Sequence, residues 1–234
     1  MRKIKLLFSL SLATALFMST VVGASAASVP VQNSTGDVEP VQSSLKLDAL
    51  TVETPYDPAL YDFVRNDDGN TVEVQVVEKA SARIVSTYGE IVEPSLNKVS
   101  MLASGTYTTR TVYRLFTDRG YNNKHFAGAN LYTVYNCWQD GSFGQINSVV
   151  GTYWEAMAGG GNFNIETNFA QTSPTGSTGS YPTNQVITTG SAVFATTTST
   201  EYGVSIGYFG FTIGTSNIWR YATGAVGYNV NFGG

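Results

Sequence analysis

NQVITTGSAVFATTTSTEYGVSIGYFGFTIGTSNIWRYATGAVGYNVNFGG, residues 184–234, contains one basic residue (Arg220), one acidic residue (Glu201) and no proline. At its end Val226, Tyr228, Val230 and Phe232 alternate with Gly227, Asn229, Asn231 and Gly233. Successive side chains of a strand point to opposite faces, so this period of two predicts a strand with one face inside. Two β-favouring runs, 186–198 and 202–213, meet around Thr200 and Glu201 and read as an antiparallel pair. In the second run the apolar face switches from Val204, Ile206 and Tyr208 to Phe209, Phe211 and Ile213. A bulge, or a strand that changes sheets, would produce such a switch.

The same texture extends back to Ala127: Gly, Asn, Thr and Tyr abound, and after Gly141 only Glu155, Glu166, Glu201 and Arg220 carry charge. Further strands are predicted near 130–138, 145–158, 162–170, 217–222 and 226–232. Gly159, Gly160 and Gly161 form a short hairpin loop between the second and third of the strands after Ala127. Residues 172–184 (TSPTGSTGSYPTN) are a long polar loop, of the kind that often carries function. Short-to-medium strands separated by Gly/Asn turns, with almost no helical period and no internal repeat, predict an all-β fold, an antiparallel β-sandwich over residues 101–234.

Three segments precede it. Arg2, Lys3 and Lys5 lead an apolar run that ends in Ala24-Ser25-Ala26, so residues 1–26 read as a signal peptide cut after Ala26 and the mature chain as secreted and extracellular. Residues 27–44 are polar, proline-bearing and aperiodic, a disordered tether in which Asn33-Ser34-Thr35 matches a glycosylation acceptor. Residues 45–100 form an acidic segment, read either as a pro-region masking a basic strip or as N-terminal strands of one continuous domain. Its residues 71–79 (TVEVQVVEK) alternate as a half-buried strand, preceded by a turn at 66–70 (NDDGN). That turn has a faint calcium-loop look, but no glutamate follows where an EF-hand needs one.

Charge changes sign along the chain. Residues 37–93 hold 12 acidic and four basic residues, whereas residues 98–124 hold five basic residues and one acid, Asp118. The whole chain has 17 Asp and Glu against 13 Lys and Arg, a net charge of −4, and loss of the leader would take it to about −7. Such a balance argues against nucleic acid as a partner. Arg110 and Arg114, four apart in GTYTTRTVYRLFT, share a strand face with Val112. With Arg119 and Lys124 they make a basic strip: a solvated face, a dock for the acidic segment, or a contact for an anionic surface such as cell wall or lipid headgroups.

Catalysis is poorly supplied. His125 is the single histidine and Cys137 the single cysteine, so no intrachain disulfide and no histidine- or thiolate-rich zinc site can be built. No Gly-x-Ser-x-Gly elbow occurs. Cys137, in LYTVYNCW, reads as a buried small hydrophobe whose apolar surroundings raise its pKa. Glu155 and Glu166 flank the triple-glycine loop and would face each other across a hairpin, either as a glycosidase-like pair or as two carboxylates exposed at a sheet edge. No catalytic residue, metal ligand or cofactor is assigned.

Binding is better supplied. Aromatic residues are 12% of the chain, with 14 tyrosines, whose flat faces suit sugar rings while their hydroxyls stay wet. Tyr132, Trp138, Tyr153, Trp154, Tyr208 and Tyr221 are the candidates for an exposed platform, and core packing is the competing role for each. The sequence therefore predicts a secreted, non-catalytic binding or cell-surface interaction protein, with polysaccharide or cell envelope as target. A membrane-active β-protein (pore-forming or antimicrobial) and a secreted hydrolase are the alternatives; uneven strand patterning argues against stable membrane insertion.

Overall fold

A computed structural model describes residues 42–93, 105–117, 127–157, 163–175, 179–201, 204–214 and 216–232. The expected leader and cleavage site, Asn33, and the expected tether up to residue 41 lie outside the described residues. So do Arg119, Lys124, His125 and the triple-glycine loop. Fifteen strands follow in order: β1 (Ser43–Lys46), β2 (Leu50–Thr54), β3 (Tyr61–Asp67), β4 (Thr71–Glu78), β5 (Arg83–Glu93), β6 (Thr106–Thr117), β7 (Gly128–Asp140), β8 (Phe143–Ala156), β9 (Asn164–Pro174), β10 (Gln185–Thr196), β11 (Thr200–Glu201), β12 (Val204–Ser205), β13 (Thr212–Ile213), β14 (Trp219–Ala222) and β15 (Val226–Phe232).

Thirteen of them form two antiparallel sheets packed face to face as a β-sandwich, and β11 and β12 pair with each other as a separate two-stranded ribbon. In the first sheet β1, β2, β15 and β10 are successive neighbours; β9 pairs along one side of β10, and β14, with β13 beyond it, pairs with β10 past the end of β15. The second sheet is a six-stranded meander from β3 to β8. The acidic segment is thus built into both sheets, through β2 against β15 and through β5 against β6. Ser43 and Ser44, within the expected tether, already belong to β1.

The alternating pattern of β15 acts as expected: Val226, Tyr228, Val230 and Phe232 are buried. They meet Val72, Val74 and Val76 of β4, Val112 of β6, and Leu131, Tyr135 and Cys137 of β7 in one core. Each such side chain, fully buried, contributes about 1.5–3 kcal/mol. On the other face of β15, Asn229 and Asn231 each donate a side-chain hydrogen bond to Glu53 of β2, at 2.9 and 2.8 Å. The β3–β4 turn is held by its own carboxylates: Asp67 Oδ1 accepts from Gly69 N at 3.0 Å, and Asp68 Oδ1 accepts from Asn70 N and Thr71 N. The hydrogen bond from Gly69 N, then that from Arg65, hold the Asp67 carboxyl below its ordinary pKa.

The run 202–213 is not a long strand, which corrects the expected antiparallel pair. After the two-residue strand β12 the chain makes a 3-10 turn at Ile206–Phe209. Ser205 Oγ accepts from Gly207 N at its start, and Gly210, at φ 91°, closes it by donating to Gly207 O at 3.1 Å. Residues i and i+3 of such a turn eclipse, so Ile206 and Phe209 are buried together. That turn is what moves the apolar face along the run.

Polar side chains tie the two sheets. Thr133 of β7, Thr188 of β10 and Thr172 of β9 place their hydroxyls 2.8–3.1 Å apart, and Thr152 of β8 reaches Thr172 at 2.7 Å. The Tyr228 hydroxyl enters the same cluster, 3.1 Å from Thr133 Oγ1 and from Val112 O. Buried hydroxyls without partners would be costly, so the cluster fixes one register of sheet on sheet.

Candidate functional site: the outer face of the second sheet

Along β6 the residues Arg110, Val112 and Arg114 point into the sandwich, and Thr111, Tyr113 and Leu115 point out. Tyr113 stands opposite Tyr132 of β7, which stands opposite Tyr153 of β8. The rings follow one another at 5.4 Å between centroids, Tyr132 and Tyr153 stacked at 25° and Tyr113 tilted by 50° to Tyr132. Such contacts contribute about 0.5–1.5 kcal/mol each beyond the area they bury.

Register, not the hairpin turn, creates this row. Near the turn Asp140 faces Phe143 and Cys137 faces Ile146, a pairing that would set Tyr132 against Gly151. Two bulges in β8 each insert one residue, so Tyr132 meets Tyr153 instead. At the inner end of the row Tyr113 lies across Gly89 of β5 and donates from its hydroxyl to Glu73 Oε2 at 2.9 Å. Burial and the Glu73 carboxylate push the Tyr113 phenol well above its ordinary pKa, so it stays a neutral donor. At the outer end Tyr153 is 43% exposed. Asn130 Nδ2 donates to the Tyr132 hydroxyl at 3.0 Å and fixes the middle ring.

A second aromatic group lies at the far end of the same face. Trp138 is opposite Tyr107 and makes an edge contact with Phe143 at 5.8 Å. Tyr107 and Phe143 are 62% and 59% exposed, and the Trp138 ring covers Gly105.

Of the six aromatic candidates, Tyr132 and Tyr153 are therefore brought together, and Trp138 shares their face from six residues away along β7. Trp154 is buried on the opposite side of β8, donating from Nε1 to Phe169 O at 3.1 Å. Tyr221 packs against Phe194, Phe211 and Phe116 in the aromatic end of the core. Tyr208 sits in the 3-10 turn, and its side chain lies outside the described set. Tyr113, Tyr107 and Phe143 join the face without having been singled out. The shared face of Arg110, Val112 and Arg114 already implied that Tyr113 points the other way.

The basic strip needs correction at its two described members. Arg110 is buried and its Nη1 donates to Glu90 Oε1 at 2.5 Å and to Asp48 Oδ2 at 2.7 Å. Glu90, fully buried, also accepts from the backbone N–H groups of Asp48 and Leu50. Burial works against the Arg110 charge, but Asp48 and Glu90 outweigh it and its pKa is raised. Arg114 donates to Gly227 O at 2.6 Å and lies 5.4 Å from the Tyr88 ring centroid. Their charge is spent inside the sandwich on partners from the acidic segment and β15, so neither arginine offers a contact to an outside anionic surface.

The carboxylate pair is also not made. β8 belongs to the second sheet and β9 to the first, so Glu155 faces Asn130 of β7 whereas Glu166 takes a bidentate contact from Arg220, Nε at 2.6 Å and Nη2 at 2.7 Å. A cleft of about 310 Å³ opens beside Glu166, lined also by Asn164, Thr198 and Ile218; Glu166 is the one carboxylate among its described lining residues. Cys137 is buried as expected, and burial pushes its thiol up to about 12. Among the described residues, no group of three or more His, Cys, Asp or Glu side chains is placed to hold a metal ion. No described helix is long and apolar enough to cross a membrane. No family model matches the chain, and neither a curated protein nor a solved structure matches it.

Proposed function

We propose that this is an exported, non-catalytic binding protein that holds a polysaccharide of a cell envelope or surface on the outer face of its second sheet. The observation that carries the reading is the row Tyr113–Tyr132–Tyr153. Tyr113, itself buried across Gly89, backs the row, and Tyr132 and Tyr153, which reach the surface, are pre-positioned by it, by the sheet and by Asn130, so little side-chain freedom is lost when a ligand lands on them. Tyrosine offers an apolar face to the C–H side of a sugar and a hydroxyl to its rim. The catalytic alternative loses its most specific support, because Glu155 and Glu166 lie on strands of different sheets.

The test is retention of the full mature chain on washed insoluble glycans (chitin, cellulose and peptidoglycan), with dye leakage from liposomes measured in parallel. Saturable retention on at least one glycan without leakage is expected. Leakage at low protein concentration with no glycan retained would replace this reading with a membrane-active one.

A further inference from the structure

The row of three tyrosines and the group Tyr107, Trp138 and Phe143 lie on one face of the same three strands. Tyr107 precedes Tyr113 by six residues on β6, and Trp138 follows Tyr132 by six on β7. Even numbers of residues keep side chains on one face, and six residues of strand span roughly 20 Å. Between the two aromatic groups run two cross-strand rows of small or polar residues: Thr109, Asn136 and Ser148, then Thr111 (itself buried), Val134 and Gly151. None of the six carries a charge or a ring. Asn136 Nδ2 donates to Ser148 Oγ at 3.1 Å, which leaves the Asn136 carbonyl oxygen to accept from a ligand.

We infer that these two aromatic groups are the ends of one binding track for a linear, neutral, β-linked glycan lying along the strand direction. The inference rests on the glycan-binding reading above and adds to it the form, charge and orientation of the ligand. A sheet face with small side chains between two aromatic ends, exposed at Tyr153 and at Tyr107 and Phe143, fits an extended, ribbon-like chain, and a branched or globular ligand would meet only one end. Glu73 and Glu155 border the tyrosine end and Asp140 the tryptophan end, so an acidic polysaccharide would be repelled. Neutrality is inferred from the uncharged residues between the ends, which offer no ion pair to a charged sugar. A disaccharide can occupy one end only. A chain long enough to reach both is held at two points, and the second contact is made at high effective concentration.

The experiment measures binding of cello- and chito-oligosaccharides, from disaccharide to hexasaccharide, to the full mature chain and to Tyr107→Ala and Tyr153→Ala variants. These tyrosines are the exposed members of the two ends, so truncation leaves the core intact, and unchanged melting temperatures verify it. In the parent, the hexasaccharide of at least one series binds tenfold or more tighter than its disaccharide. Each single variant brings hexasaccharide affinity down to near the disaccharide value. Equal affinity at every length, or a loss with Tyr153→Ala and none with Tyr107→Ala, overturns the two-ended track while leaving a glycan site at the tyrosine row. Absence of binding at every length in both series, with self-association abolished by the same variants, overturns both and makes the face a contact between copies of the chain.

Discussion

Tyr113 lies across the backbone of Gly89, so close that a Cβ on residue 89 would stand 2.2 Å from its Cζ, and its hydroxyl passes over the glycine to Glu73 Oε2 at 2.9 Å. One strand therefore leaves out a side chain so that the ring of its neighbour can reach the strand beyond. The geometry of the whole tyrosine row begins at that contact.

Gly89→Ala is expected to lift the Tyr113 ring off β5 and break its bond to Glu73, at a cost of about 1–3 kcal/mol, the range for overpacking. Tyr113→Phe, which keeps the ring and loses only the hydrogen bond, should cost about 1 kcal/mol. Chemical denaturation of both variants checks this. Equal stability of Gly89→Ala and the parent would mean that the ring does not occupy that space.

The buried pair of Arg110 and Glu90, joined at its rim by the half-exposed Asp48, predicts a marked asymmetry. Glu90→Leu alone leaves Arg110 desolvated with only the half-exposed Asp48, and a loss of about 3–5 kcal/mol is expected. Replacing the pair together, as Glu90→Leu with Arg110→Met, should be the milder change because no uncompensated charge remains. A double-mutant cycle by urea unfolding measures the difference. Additive losses would show that the two residues do not depend on one another.

Arg110 and Glu90 also show what the sequence withholds. The four-residue spacing of Arg110 and Arg114 correctly places both on one face of β6. Which way that face looks depends on Glu90, twenty residues earlier on β5, and on a hairpin turn at 47–50 whose N–H groups Glu90 accepts. Local pattern reports a shared face, and only tertiary pairing decides whether it is wet. β15 and β4 were legible because their alternation is itself the record of burial. The tyrosine row was half legible: Tyr132 and Tyr153 stood out by residue type, but their meeting depends on two bulges in β8 that no residue pattern announces. The run 202–213 misled because a capped 3-10 turn of apolar residues shifts the hydrophobic face much as a bulged strand would.

Cys137 gives a pH prediction. Burial raises its thiol from 9.0 to about 12 in the folded protein, so above about pH 9 the unfolded chain releases a proton that the native state keeps. The raised value means that its stabilising contribution is complete below about pH 9 and falls as pH rises, by ~1.4 kcal/mol per unit until the folded pKa is reached. Tyr135 and Tyr228, also raised by burial, add to the loss above about pH 10, the ordinary tyrosine value. Urea unfolding at pH 8 and pH 10 should show a smaller alkaline drop for Cys137→Ala than for the parent, by about 1 kcal/mol. An identical drop in both would mean that the thiol ionises freely in the native protein.

The acidic segment supplies β1 to β5, so a fragment of residues 102–234 should fail to fold. Its loss leaves β6 and β15 without their neighbours, exposing two long edges, and uncovers the core face held by Val72, Val74 and Val76. Expression of this fragment beside residues 27–234, followed by circular dichroism and solubility measurements, tests the point. A soluble fragment with the parent's cooperative unfolding would contradict it.

The outer face of the second sheet is tested by a saturation isotherm on whichever insoluble glycan best retains residues 27–234. It compares the parent with the double variant Tyr132→Ala/Tyr153→Ala, each at its own verified fold. The double variant is expected to bind at least tenfold more weakly, because two stacked rings are lost and each ring contact is worth ~1 kcal/mol. An isotherm that superimposes on the parent's would contradict it and remove the tyrosine row from the binding surface.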